Sequence, residues 1–286
     1  MLNKTSELCK KLDLALCVCT SNGYKDIWDL FFYYWDKNLS KYEIPVYFLT
    51  SEKTENINSS YKVIYPKLSK LSDRDPWSSR IFDCLEQVNH RNIITTTEDA
   101  IINTEFDPKK FFSALNHFDN NDLDYLKISP FYPNKSNEKI DTFVSHANWE
   151  LHRVNITKAI WKKKSLLRLI KKDESFREFD IYASKRAKEK NMNIQHCDFN
   201  ALPYLEIIHS AKFNFSSKKI LSEFRYFEKY DRKSSSNFEN LIILVKYFKL
   251  YLYSILPINM KKLLIKNGII GNHRKFLKNY RHYSKK

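Results

Sequence analysis

"RNIITTTEDAII", Arg91–Ile102, runs a series of β-branched residues into two adjacent carboxylates. Ile and Thr are stiff at χ1 and pack well on a pleated surface, so Asn92–Thr97 reads as a strand. Glu98 and Asp99 then interrupt it before the chain turns apolar again. Either the pair caps an ordinary strand, or the strand exists to hold the pair. In open α/β sheets ligands bind beyond the carboxyl ends of the strands, which is where this pair falls.

The segments on either side supply the rest of such a sheet. Upstream, "LDLALCVCTS" is continuously apolar, the pattern of a parallel strand covered on both faces. "KDIWDLFFYYWDKN" follows with Ile27, Leu30, Phe31, Tyr34 and Trp35 on one helical face. "IPVYFLTS" and "YKVIY" read as strands, and "WSSRIFDCLEQV" as a helix turning Ile81, Leu85 and Val88 inward. Downstream, Asp107 is an N-cap, Pro108 stands at the first helical position, and Phe111, Leu115 and Phe118 recur at helical spacing. "LDYLKISPF" and "RVNITKAIW" read as further strands, and "KKSLLRLIKK" as a basic amphipathic helix. The alternation predicts an α/β domain on a mostly parallel sheet.

The composition narrows the function classes. Three Gly among 286 residues leave no glycine-rich phosphate loop or dinucleotide fingerprint. Five scattered Cys without a CxxC pair suit reduced thiols better than a disulfide framework or a zinc site, which places the chain inside the cell. Lys10, Lys11 and Asp13 break the apolar run a signal peptide needs. No uncharged stretch reaches the roughly 18 residues of a membrane span, since Lys246 and Lys249 interrupt the best one. The net charge is +16, and from Lys218 onward 17 Lys/Arg face 4 Asp/Glu, so a nearly neutral body carries a basic tail.

Three stretches, "CTSNGYKDIWDLFFYYW", "DPWSSRIFDCLEQVNHRNIITTTEDAII" and "ITKAIWKKKSLLRLIKKDESFREFDIYASKRA", resemble bacterial glycosyltransferases of the GT-A fold that serve lipopolysaccharide and capsule biosynthesis. Together they span roughly residues 14 to 190. The resemblance implies a GT-A, Rossmann-like catalytic domain over residues 1–217, with a basic helical extension over residues 218–286. It implies transfer of a sugar from a nucleoside-diphosphate sugar to a surface polysaccharide or lipid-linked acceptor. Two departures stand out. "TTTEDA" offers two adjacent acids in place of the DXD triplet common in the fold, and Arg177 stands where an aromatic residue is expected in the acceptor region.

The chemistry of such a transfer assigns roles. A leaving diphosphate is commonly stabilised by Mg²⁺ or Mn²⁺ held on one or two carboxylates, so Asp99, with Glu98, is the expected metal ligand. Neighbouring strand residues point to opposite faces, so both can serve only if the chain turns there. Thr20, Ser21, Asn22 and Tyr24 follow the first strand, where the fold receives base and ribose; they equally suit an ordinary capped turn. Trp77 and Arg80 come from the helix before the acidic strand, and Arg80 suits a phosphate or plain solvent. An inverting transfer needs a base, and "ESFREFD" supplies Glu174, Glu178 and Asp180. Ser175 and Glu178 also match a capping box, and on a continuing helix Asp180 borders the buried stripe of Phe176, Phe179, Ala183 and Ala187 while Glu178 faces away. Asp180 is therefore the preferred base, Glu178 the second. His146, His152, His196 and His209 lack metal-ligand spacing; His209 falls near where the fold often places a phosphate contact.

The tail interleaves Leu, Ile, Phe and Tyr with Lys and Arg, a pattern of helices lying beside anionic lipid head groups. Taken with the resemblance, which implies a lipid-linked acceptor in the inner leaflet, it implies a peripheral protein on the cytoplasmic face of the bacterial plasma membrane. The same residues suit helices that cover the body while their lysines snorkel outward. A basic aromatic tail also suits nucleic acid, but no helix-turn-helix, RRM or KH signature accompanies it, so no nucleic acid is expected. A catalytically inactive scaffold of the same fold is the remaining alternative.

Overall fold

The computed structural model describes residues 2–53, 61–65, 77–102, 106–130, 143–145, 154–209, 211–215, 217–223, 232–257, 259–260 and 263–264. The chain forms two compact units, residues 1–131 with 135–235, and residues 132–134 with 236–286.

The first unit is built on an eight-stranded mixed sheet flanked by helices. Its strands are β1 (Leu14–Cys19), β2 (Val46–Leu49), β3 (Lys62–Ile64), β4 (Asn92–Thr97), β6 (Tyr125–Lys127), β7 (Phe143–Ser145), β8 (Ala159–Lys162) and β9 (Ile194–Cys197). A two-residue strand, β5 (Ala100–Ile101), lies outside the sheet and pairs with β10 (Leu205–Glu206); β11 (Ile208–His209) pairs with β12 (Lys212–Phe213). The sheet order is β3-β2-β1-β4-β8-β6-β9-β7. β3, β2, β1 and β4 run parallel to their neighbours, and β6 runs parallel to β9. β8 enters between β4 and β6 antiparallel to both, and β7 is antiparallel to β9. The sheet is thus mixed: β1, β2, β3, β4, β6 and β9 share one direction, as the sequence predicts for most strands, and β7 and β8 oppose it. β8 passes directly into helix α5 without a loop.

Every residue of β1 is buried because both faces are covered. Leu14, Leu16 and Val18 join one core with Leu30, Phe31, Phe111 and Leu115. Ala15, Cys17 and Cys19 join the other with Ile81, Leu85, Leu166, Phe179 and Ala183. The helices on the first side are α1 (Leu2–Lys11), α2 (Trp28–Leu39) and α4 (Pro108–Asn120); on the second they are α3 (Trp77–Glu86), α5 (Lys163–Leu169) and α6 (Phe176–Glu189). Helix α4 starts as its sequence predicts, with the Asp107 carboxylate accepting from Lys109 N. All five cysteines are buried and free.

The unit boundary falls after Ser235, not at residue 217. Helix α7 (Ser217–Glu223) buries Ile220 and Leu221 in the first core, and Ser234 bridges to Phe213, so this segment belongs to the sheet-bearing unit. The second unit contains α8 (Asn237–Ile255), opened by a capping box in which Ser236 and Glu239 exchange hydrogen bonds of 2.8 and 3.2 Å. Among the described residues no helix is long and apolar enough to cross a membrane. His146, His152 and the tail beyond residue 264 lie outside the described residues.

Candidate active site

Beyond the carboxyl ends of β1 and β4 lies a cleft of about 370 Å³ lined by Cys19, Thr20, Ser21, Tyr24, Trp77, Arg80, Thr97, Glu98, Asp99 and Phe176. Seven of the ten residues singled out from the sequence therefore meet at one place. Asn22, Glu178 and Asp180 are not in its lining.

The acidic pair sits in a turn between β4 and β5, so the chain leaves the strand geometry at Glu98 and both residues reach the same cleft. The turn is fixed from three sides. Asp99 accepts from the Thr97 hydroxyl at 2.6 Å, its carbonyl accepts from Ile207 N at 3.1 Å, and Ala100 pairs with Glu206. Burial, followed by the charge of Asp99, pushes Glu98 up to about 8, while a hydrogen bond with Thr20 pulls the other way. Burial also raises Asp99, against its bond from Thr97. The Glu98 Oε2 atom is buried and makes no hydrogen bond.

The loop after β1 is tied down along its length. Thr20 N donates to Leu49 O, and the Thr20 hydroxyl accepts from Trp28 Nε1 at 2.9 Å. A 3₁₀ turn over Asn22–Ile27 follows, with Asn22 N donating to the Ser51 hydroxyl at 3.3 Å. Asn22 thus acts through its backbone in holding the turn. Arg232, 206 residues further on, clasps this turn: its guanidinium meets Asp26 at 2.6 and 2.9 Å and donates to Gly23 O and Ala211 O, both at 3.1 Å. It also lies 4.7 Å from the centre of the Tyr24 ring. Burial raises the Tyr24 phenol, and the nearby Glu98 charge adds to it.

On the other wall, Trp77 and Arg80 project from α3, and Trp77 packs against Phe176 and Phe179 of α6. The two helices are stitched by Ser78 N donating to Glu174 O and Glu174 N donating to the Ser78 hydroxyl. The Glu174 carboxylate receives Arg186 in a two-pronged pair at 2.6 and 2.8 Å, so this acid is structural. Glu178 completes the capping box of α6 by accepting from Ser175 N at 2.7 Å. The second candidate base of the sequence thus serves as a helix cap here. Asp180, one turn into α6, is partly buried, and its Oδ1 is shielded without a hydrogen-bond partner. Burial raises its carboxyl to about 7, against the pull of Lys127 at the end of β6.

Four charged residues near the cleft escape sequence reasoning: Lys127, Lys158, Glu206 and Arg232. Lys158 adopts φ 56° just before β8 and pairs with Glu206 at 2.9 Å. Lys158, and more weakly Lys127 and His209, hold Glu206 below the usual carboxylate range. Lys158 and Glu206 act on Asp99, and Lys127 acts on both Glu206 and Asp180. A positive φ at a lysine is their only local signature, and it is invisible in sequence.

A larger cavity, about 750 Å³, lies at the amino ends of β1 and β4. Each of its three acids is paired, Asp119 with Lys11 at 2.5 Å, Asp122 with Lys162 at 2.6 Å and Asp13 with His90 at 2.8 Å, while Arg91, Lys163 and Lys164 also line it and leave it with an excess of positive charge. The smaller cleft, where two adjacent carboxylates meet an arginine and the Glu98 Oε2 atom is buried without a hydrogen bond, is the better candidate for chemistry.

No known family profile matches the sequence, and no curated protein matches it. Among solved structures the chain is similar to the bifunctional IspDF from Campylobacter jejuni, with 14% identity and a TM-score of 0.44. The alignment covers 78% of this chain and 56% of that one, so this chain spans about half the length of that structure. The likeness is too distant to bear on activity.

Proposed function

We propose that this protein is a GT-A-type glycosyltransferase that moves a sugar from a nucleoside-diphosphate sugar to a saccharide acceptor of a bacterial surface polysaccharide, free or lipid-linked. One observation supports the reading above the others. A polar, aromatic loop, an arginine and an adjacent acidic pair converge on one cleft at the carboxyl edge of parallel strands. Thr20, Ser21 and Tyr24 would receive the nucleoside, and Arg80 the diphosphate.

Among the described residues no group of three or more His, Cys, Asp or Glu is arranged to hold a metal ion. Two carboxylates nevertheless suit Mg²⁺ or Mn²⁺, which complete their shells with phosphate oxygens and water when they act on nucleotides. The buried Glu98 Oε2 without a hydrogen bond fits a ligand awaiting its cation. Asp99 and Glu98 would hold the ion, which would neutralise charge on the leaving diphosphate.

In an inverting transfer, the acceptor hydroxyl gives its proton to the Asp180 carboxylate as its oxygen bonds the anomeric carbon. The bond from that carbon to the phosphate oxygen breaks, and the diphosphate leaves with the electron pair. A carboxyl near 7 suits this role at neutral pH. The test is hydrolysis or transfer of nucleotide sugars with added Mn²⁺, preceded by a thermal-shift panel of nucleoside diphosphates and their sugars. Asp99→Ala, shown to melt like the parent, is expected to abolish turnover. No response to any nucleotide or nucleotide sugar would defeat the proposal.

A further inference from the structure

Helix α8 carries an apolar face that the protein leaves bare. Phe238, Leu241, Ile242, Val245, Phe248 and Leu252 are 41–71% exposed. At about 100° per residue they fall within an arc of roughly 120° on a helix about 28 Å long. Ile243, roughly 160° from the centre of that arc, is 3% exposed. Opposite Ile243 the helix thus presents an aliphatic and aromatic strip, within whose arc Lys249 also falls; Leu244, roughly 100° from the centre of the arc, is 50% exposed. Met260 and Leu263, in the short helical turns that follow, are 49% and 56% exposed.

The charge of the sequence that carries this strip decides what suits it. Beyond Glu239 the sequence holds 11 Lys/Arg and no Asp or Glu. A second copy would bring the same excess of positive charge against the first. A nucleic acid would satisfy the cations but leave the Leu, Ile and Val side chains in water, since phosphates and sugars offer them no apolar contact. A bilayer with anionic lipid satisfies both features, because acyl chains receive the strip and head groups receive the lysines and arginines.

We infer that α8 lies in the plane of an anionic membrane surface, its strip of Phe238, Leu241, Ile242, Val245, Phe248 and Leu252 sunk among the acyl chains. The helix lies on the bilayer; it does not span it. The inference does not depend on the sugar-transfer proposal, because vesicle binding is read without any nucleotide.

The experiment is co-sedimentation of the full chain with phosphatidylcholine vesicles, with and without about one-third phosphatidylglycerol. The wild type should pellet with the anionic vesicles and remain largely in solution with the neutral ones. The double variant Leu241→Asp/Phe248→Asp should bind the anionic vesicles at least tenfold more weakly while keeping the parent's circular dichroism and melting. If the double variant fails to fold, Phe238→Ser, in the first turn, should show a smaller loss in the same direction. Failure of the wild type to pellet with anionic vesicles, or undiminished binding by a folded variant, would overturn the inference. So would a wild-type dimer dispersed by the double substitution without vesicle binding, which assigns the strip to a second copy. Tight binding of single-stranded RNA with no vesicle binding would assign the tail to nucleic acid.

Discussion

Replacing Glu98 with Gln should make the protein more stable, and increasingly so as the pH rises. Glu98 is 5% exposed, and its carboxyl is raised from an ordinary 4.5 to about 8 by burial and by Asp99. Below pH 4.5 the group is protonated in both the folded and unfolded chain, so it contributes no pH dependence. Between 4.5 and about 8 the unfolded chain has released the proton while the folded chain keeps it, so folding weakens as pH rises. Above about 8 the penalty is constant. The interval spans about 3.5 pH units at about 1.4 kcal/mol each, so the full penalty is about 5 kcal/mol. By the same relation it is about 1 kcal/mol at pH 5 and about 4 kcal/mol at pH 8. Gln keeps the shape of the neutral acid and cannot ionise. In urea unfolding with a chelator present, the variant should lie within about 1 kcal/mol of wild type at pH 5 and exceed it by about 4 kcal/mol at pH 8. Parallel stability profiles for the two proteins would show that Glu98 is not held neutral, and the argument for a carboxylate awaiting a cation would go with it.

Arg232→Ala should raise the KM for the nucleotide-sugar donor about tenfold, because it frees the Asn22–Ile27 turn; steady-state kinetics on the folded variant checks this. Asp180→Asn should lower kcat by about 10² or more. In the wild type the rate should climb as pH rises through about 7, where the carboxyl loses its proton, and that limb should vanish in the variant. Glu174→Ala leaves Arg186 as an unpaired, largely buried cation and should cost about 3–5 kcal/mol in denaturant unfolding.

Where local chemistry decides a structure, the sequence is a sufficient guide. The unbroken apolar run of Leu14–Cys19 states that both faces are covered, and the two cores that share it agree. Asp107 with Pro108, and Ser175 with Glu178, announce helix starts through hydrogen bonds made within four residues. The direction of a strand has no such signature. "AIWK" would read the same in either orientation, and only its pairing with Ile93 and Ile94, residues distant in sequence, shows that it is antiparallel. β10, β11 and β12 are two residues each, too short for a period to register. The amphipathic helix α1, with Thr5, Leu8 and Cys9 buried, has little apolar signal because its polar residues outnumber its apolar ones. The cleft was legible where residues adjoin a strand end, as Thr20 and Asp99 do. It was opaque where the contact joins distant segments, as Arg232 does with Asp26.

The late arrival of β8 also bears on how the chain is made. Residues 14–97 can assemble β1, β2, β3 and β4 as soon as they leave the ribosome, but the strand that covers the free side of β4 begins at Ala159. Until then the hydrogen-bonding edge of β4, flanked by Ile93 and Ile94, lies open to any other extended chain. A nascent polypeptide halted in that interval would be the form in greatest need of a chaperone.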